Sequence, residues 1–201
     1  MSPELTAHTG MDAIVHSFEA YVSNASSPVT DIQALESIRL MKTFLPLAYH
    51  NPGTITYRYQ TMLGSLLAGL AFSNASLGAV HAMAHSLGGL LDLPHGECNA
   101  MLLDHVINFN FDVAPERYRM IAEAMGIDSR GFSSKELKDR LITSVFTLKH
   151  EVGIRNQLRQ RGVKTSDISE LSKKAIKDAC MLTNPRKAAQ RDIELIYEEA
   201  M

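Results

Sequence analysis

Residues 80–96 read V-H-A-M-A-H-S-L-G-G-L-L-D-L-P-H-G, an apolar helical segment followed by residues that interrupt a helix. Its apolar residues recur at three- and four-residue spacing, which is the period of an α-helix. The glycine pair 88–89 and Pro94 should end this helix and let the chain fold back. The same period continues through the rest of the chain, and runs of strict alternation are missing. We therefore predict an all-α fold.

The predicted helices are separated by short turn signals, with no internal repeat and no flexible linker. A first helix should begin at Thr9 or Gly10 and fray at residues 23–28. We expect later helices at 31–46, 55–87, 99–109, 115–125, 134–148 and 167–179, and a last one after N-P-R at 184–186. The economical interpretation is one compact helical bundle domain over residues 1–201.

Composition excludes several classes of protein. The 201 residues carry a formal net charge of −2 with interspersed signs, which argues against nucleic acid and anionic membranes as partners. The apolar stretch 63–72 is too short to span a bilayer and is predicted to be a buried helix. Two unpaired cysteines, Cys98 and Cys180, and an N-terminus without a signal-peptide pattern favour a cytoplasmic protein.

Candidate metal ligands occur in two short stretches. Asp12 and His16 are four residues apart, so one helix face presents both; the alternative is a helix-capping aspartate beside an ordinary half-buried histidine. His81 and His85 have the same spacing, which alone favours them as the second half of a site and leaves His95 spare. Fourteen residues of unbroken helix would hold His81 and His95 about 21 Å apart. A break between them is therefore required if both bind one ion.

Longer motifs point to a family. They are T-G-M-D-A-I-V-H-S-F-E-A-Y at 9–21, the segment 66–89 ending in H-A-M-A-H-S-L-G-G, L-P-H-G-E-C-N-A at 93–100, and T-N-P-R at 183–186. Through them nearly the whole chain resembles the C-terminal, metal-binding domain of the iron-dependent (group III) alcohol dehydrogenases.

The resemblance implies a ligand set and a role for the remaining histidine. The family's metal ligands, one aspartate and three histidines, match Asp12, His16, His81 and His95. His85 matches a residue beside the nicotinamide and substrate, so it is the implied catalytic and cofactor-contacting residue, and the preference drawn from spacing is reversed. The resemblance implies Fe(II), although Zn(II) or another divalent metal suits the same donors.

The implied activity is the reversible oxidation of an alcohol with NAD(P), in which the metal polarises the alcohol or carbonyl oxygen. The family's N-terminal dinucleotide-binding α/β domain has no counterpart here, so the chain is either cut from a longer protein or naturally short. We expect it to bind metal without transferring hydride alone. Smaller departures are Ser86 and Asp104, at positions where proline is usual in the family. The expected partners are a small alcohol or aldehyde and, as the default assembly, a second copy in a homodimer.

Two other functions remain open at this point. A helical metallohydrolase would use the same ion to activate water, although the adjacent His-Asp ligands typical of such enzymes are missing. A non-catalytic helical module would bind metal for stability or pair with a separate nucleotide-binding partner.

Overall fold

The computed structural model describes residues 1–201 and contains helices, turns and no β-strand. The helical content is 77%, and the predicted all-α fold is confirmed. The nine α-helices are α1 (Pro3–Val22), α2 (Pro28–His50), α3 (Ile55–Ala75), α4 (Ala79–Leu91), α5 (His95–Asn110), α6 (Pro115–Ala124), α7 (Ser134–Glu151), α8 (Ile168–Ala175) and α9 (Gln190–Glu199). Short 3-10 helices lie between these α-helices, at Phe111–Val113, Leu158–Arg161, Thr165–Asp167 and Ala179–Thr183.

Helix α1 lies between α2, α3 and α5 and is buried along most of its length. Met11, Ile14 and Phe18 belong to one apolar cluster of 49 residues to which all nine helices contribute. The polar side chains of an enclosed helix need hydrogen-bond partners on the surrounding helices, because unpaired buried polar groups are costly. The same helix carries Asp12 and Glu19, whose partners define the functional site.

Helix α1 begins earlier than the sequence pattern predicts. It starts at Pro3, not at Thr9, because Ser2 caps it by accepting a hydrogen bond from the Leu5 amide at 3.2 Å. Proline at the first helical position and serine before it are ordinary start signals. Helix α2 also starts early, at a capping box formed by Ser27 and Thr30.

The expected long helix from residue 55 to 87 is broken. Helix α3 ends at Ala75, α4 begins at Ala79, and the two axes are bent by 102°. Ser76, in the break, has a φ of 60°. The turn signal was present in the segment S-N-A-S-L-G, residues 73–78, but the apolar period on either side concealed it.

Side chains from the T-N-P-R segment hold this break. Asn184 Oδ1 accepts a hydrogen bond from the Ala79 amide at 3.1 Å, and Thr183 Oγ1 donates to the Leu77 carbonyl at 2.6 Å. Gly78 is required by close approach, since a Cβ there would lie 2.9 Å from Asn184 Oδ1. The start of α4 is therefore fixed by residues more than a hundred positions later in the sequence.

A second reversal separates α4 from α5. The glycine pair 88–89 lies inside α4 and does not end it. The helix stops before Asp92, which adopts the left-handed conformation with a φ of 52°, and Pro94 precedes the first residue of α5, His95. The predicted reversal before His95 is confirmed, but it lies at residues 92–94.

Helix α3 presents its smallest residues to the core. The buried positions are Gly64, Ala68, Ala71 and Ala75. Leu66 and Leu70 on its outer face are 59% and 44% exposed, so the prediction of a buried helix at 63–72 is wrong for that face. No single helix is long and apolar enough to cross a membrane; α3 and α4 meet the length and composition criteria only as a bent pair.

Candidate metal centre

Asp12, His81 and His95 bring ligand atoms together from three helices, α1, α4 and α5. Asp12 Oδ1 lies 3.6 Å from His81 Nε2 and 3.5 Å from His95 Nε2. The three ligand atoms all lie within 4.8 Å of one another. One carboxylate oxygen and two imidazole nitrogens form a donor set suited to a divalent first-row metal. The reversal at 92–94 makes this convergence possible.

His16 borders the same point but is not among those three atoms. Its Nδ1 lies 3.8 Å from Asp12 Oδ2, one helical turn away. Its ring stacks on His81, with centroids 4.6 Å apart, and on Phe72, with centroids 4.3 Å apart. The structure thus gathers three of the four predicted ligands closely and leaves the fourth beside them, so ligation by His16 stays a prediction.

Asn99, which the sequence analysis did not single out, lies at the centre of the donor set. Its Nδ2 is 2.6 Å from Asp12 Oδ1, 3.0 Å from His95 Nε2 and 3.2 Å from His81 Nε2. The side chain is fully buried, and its Oδ1 has no hydrogen-bond partner. Three metal-type donor atoms around one nitrogen, next to an unpaired amide oxygen, fit a divalent cation better than they fit a neutral amide. The residues present therefore suit a metal.

Glu19 is a second residue that sequence reasoning missed. It is buried, and one carboxylate oxygen accepts a hydrogen bond from His81 Nδ1 at 2.6 Å while the other accepts from the Val80 amide at 2.6 Å. With Nδ1–H committed to Glu19, the lone pair of His81 lies on Nε2, which faces Asp12. Such carboxylate–histidine pairs orient metal ligands and fix their tautomer.

The two carboxylates control the protonation of the surrounding histidines. Burial lowers the pKa of His81, but hydrogen bonds to Asp12 and Glu19 outweigh it and raise this pKa to about 9. Burial lowers the pKa of His16 to about 4, and the charge of Asp12 offsets this only in part. Burial raises the pKa of Asp12, yet the hydrogen bond to His81 and the nearby imidazoles lower it overall. A ligand nitrogen must be unprotonated, so metal binding at His81 Nε2 competes with a proton.

His85 lies next to the centre without joining it. Its ring stacks on that of His95, with centroids 5.4 Å apart, and it is 44% exposed. Its Nδ1 donates to Asp178 Oδ2 at 2.9 Å. The two residues of the H-x-x-x-H pair thus face different partners: His81 faces Asp12 and Glu19, and His85 faces Asp178.

Comparison with known proteins gives a consistent picture. Residues 6–201 match the model of the Fe-containing alcohol dehydrogenase family, C-terminal. A 1,3-propanediol dehydrogenase of Klebsiella pneumoniae is 43% identical over 196 residues, which cover 98% of this chain and 51% of that protein. An NAD-dependent methanol dehydrogenase of Bacillus methanolicus is 38% identical over 197 residues, covering 98% and 52%.

The structural comparison agrees. An alcohol dehydrogenase from Oenococcus oeni, whose structure is solved, matches the whole chain with a TM-score of 0.98 and 39% identity, over 52% of its own length. The chain spans about half the length of the curated relatives it matches.

Proposed function

The chain belongs to the Fe-containing alcohol dehydrogenase family, as its C-terminal helical domain, and from this we propose that it is the metal-binding half of an NAD(P)-dependent alcohol dehydrogenase. The observation that carries the proposal is the convergence of Asp12, His81 and His95 around the buried amide of Asn99. A packed core has no need for three such donors at one point, whereas a catalytic cation does.

The metal would be held by Asp12, His81 and His95, with His16 as the fourth ligand. Membership of the Fe-containing family supports Fe(II) as the ion, and Zn(II) or another divalent ion suits the same oxygen and nitrogen donors. When bound, the ion supplies a Lewis acid that polarises an alcohol or carbonyl oxygen. Glu19 accepts the proton of His81 Nδ1 in a hydrogen bond and so keeps Nε2 free for ligation. Because His81 is fully buried, Nδ1 depends on a protein partner such as Glu19.

His85 is proposed to orient the substrate and relay its proton. In the neutral ring Nδ1–H is donated to Asp178, so Nε2 is free to accept the hydroxyl proton of an alcohol. The His85 side chain is 44% exposed, so it is open to a substrate. The alcohol would thus lie between the cation and His85.

The nicotinamide cofactor would need residues beyond those described here. The described chain has no β-strand, whereas dinucleotide-binding domains of the doubly wound type hold the pyrophosphate at a strand–glycine–helix turn. Adding metal, NAD and an alcohol to these 201 residues should give no appreciable NADH absorbance. Robust NAD reduction by these residues alone would contradict the proposal that cofactor binding needs further residues.

Metal analysis with single variants tests the ligand set. We expect one tightly bound ion per chain, lost or weakened in Asp12→Asn, His16→Asn, His81→Asn and His95→Asn. His50→Asn, an exposed position at the end of α2, is the matched control and should bind normally. An anomalous-scattering map showing the first ion on His85 and not on His95 would break the assignment.

Hydride transfer is tested by fusion. Residues 1–201 can be fused to the N-terminal part of the Klebsiella pneumoniae relative, which is the part of that protein outside the match. The fusion should oxidise small alcohols with NAD, and His85→Ala should reduce kcat by about 10²–10⁴-fold, the usual contribution of a positioned acid or base. His50→Ala in the same fusion is the control.

A homodimer is the proposed assembly, because closed twofold dimers are the most common soluble oligomers. Light scattering after size exclusion measures the mass directly, against 22.2 kDa for one chain.

A further inference from the structure

Beside the metal centre lies a second cluster of metal-type donors. His85 of α4 faces Asp178 and Cys180, which flank the start of the 3-10 helix Ala179–Thr183. The ligand atoms of these three side chains all lie within 4.8 Å of one another. His85 Nδ1 is already 2.9 Å from Asp178 Oδ2. The cluster therefore offers one nitrogen, one oxygen and one sulfur within 4.8 Å of one another.

The local backbone fixes this arrangement. Asp178 Oδ1 accepts a hydrogen bond from the Cys180 amide at 2.8 Å, so the carboxylate and the thiol sit on one rigid turn. Thr183, at the end of the same turn, donates to the carbonyl of Leu77, two residues before α4. The turn is thus tied to the helix that carries His85, and little movement is needed to bring the donors together.

The cluster lacks a permanent positive charge. His85 is the only ion-pair partner of Asp178, and no lysine or arginine lies within 4 Å of that carboxylate. Burial raises the pKa of the Cys180 thiol to about 12, and the neighbouring carboxylate adds to this effect. A divalent cation reverses the sign of the local potential and converts a coordinating thiol into a thiolate.

We propose that His85, Asp178 and Cys180 form a second cation site, selective for a borderline-soft divalent ion such as Zn(II). Thiolate, imidazole and carboxylate are the ordinary zinc donors, with water as the fourth ligand. The metal bonds form to Sγ, to Nδ1 and to a carboxylate oxygen. Cys180 releases one proton to solvent, and the proton on His85 Nδ1 moves to Nε2. No electron is transferred.

Occupation of this site has a regulatory consequence that rests on the proposed function. Once Nε2 of His85 carries the proton, it can no longer accept one from an alcohol. The second ion would therefore inhibit the enzyme while leaving the first ion in place. Excess Zn(II) should inhibit alcohol oxidation because it coordinates His85 Nδ1 and leaves the proton on Nε2.

Cobalt titration distinguishes the two sites, because only the second contains sulfur. Anaerobic Co(II) added to the 201-residue chain should give a sulfur-to-cobalt charge-transfer band as a second equivalent binds. The band should vanish in Cys180→Ser and in His85→Ala. Cys98→Ala, which removes the fully buried core cysteine, is the matched control and should keep the band.

A wild-type chain that binds only one equivalent without the band, or a band of unchanged affinity in His85→Ala, contradicts the proposal. Asp178→Asn provides a further variant should Cys180→Ser fail to fold, as judged by circular dichroism, and should weaken the second equivalent by about tenfold or more.

Failure of the proposed function can be separated from failure of this inference. Asp12→Asn removes a ligand of the first centre and leaves the second cluster intact. That variant should lose the first equivalent and keep the charge-transfer band.

Discussion

Gly96 lies where the backbone of α5 meets that of α1. A Cβ at this position would lie 2.1 Å from the carbonyl oxygen of His8, and backbone cannot move aside as a flexible side chain can. We expect Gly96→Ala to push the two helices apart, to cost about 1–3 kcal/mol of unfolding free energy, and to weaken metal binding at the adjacent His95. Urea denaturation with and without metal measures both effects.

Gly89 is the matched control. It lies inside α4, where an added Cβ would meet no atom within 4 Å outside the neighbouring backbone of its own helix. Gly89→Ala should raise the unfolding free energy by up to about 1 kcal/mol, because alanine is the better helix former. Equal destabilisation by both substitutions would refute the steric account of Gly96.

Glu19 offers a test of how the ligand tautomer is set. In Glu19→Gln one oxygen is replaced by an amide nitrogen that donates, so His81 Nδ1 can be driven to accept and Nε2 to carry the proton. We expect metal affinity to fall by about 10–100-fold with little change in fold. Isothermal titration measures it, with Glu36→Gln, a half-exposed glutamate on α2, as control. Undiminished affinity in Glu19→Gln would mean that Glu19 does not orient His81.

Residue spacing predicted part of the site and missed the rest for a physical reason. The carboxylate and histidines were visible because their side chains are unusual metal-type donors in an apolar pattern. Glu19 and Asn99 follow Asp12 and His95 by seven and four residues, so helical spacing already put each on its ligand's face. Spacing could not show burial, since only the folded chain reveals that Glu19 and Asn99 are both buried beside the ligand side chains.

Helices α5 and α7 are joined by a buried ion pair. Lys149 Nζ donates to both oxygens of Asp104, at 2.9 and 2.8 Å, and both residues are less than 9% exposed. Asp104, which departs from the expected proline, therefore has a buried partner in α7. Lys149→Met alone should cost about 3–5 kcal/mol, because it leaves an uncompensated buried carboxylate.

The double variant Asp104→Leu with Lys149→Met removes both charges. It should recover most of the lost stability, since a buried pair replaced by apolar groups of similar volume is often neutral. Thermal unfolding of the two variants decides the matter. A double variant as unstable as the single one would show that the loss comes from packing and not from charge.

Helix boundaries were predicted where neighbouring residues in the sequence mark them, and were missed where contacts with distant residues set them. Helices α6 and α7 begin at Pro115 and Ser134, as predicted, because proline and capping residues mark their starts. The break between α3 and α4 depends on Asn184 and Thr183, which lie far away in sequence. No local pattern reports such a contact.

A cation bound at the proposed centre would join three helices, α1, α4 and α5. We expect metal to raise the melting temperature and a chelator to lower it, with about 1.4 kcal/mol of stabilisation for each tenfold excess over the Kd. Scanning calorimetry across a concentration series tests this. Asp12→Asn should abolish most of the dependence, whereas Asp139→Asn, an exposed control on α7, should keep it. A melting temperature that does not respond to metal would argue against a site shared between helices.

The small residues on the inner face of α3 also bear on the order of folding. They let α1, α2 and α3 pack closely within the first 75 residues of the chain, before α4 and α5 exist on the ribosome. Asp12 and His16 are in place at that stage, while His81 and His95 arrive later. During synthesis the nascent protein therefore passes through a stage with only two of the four proposed ligands. Pulsed hydrogen exchange should show protection in α1–α3 first and metal-dependent protection in α4 and α5 afterwards.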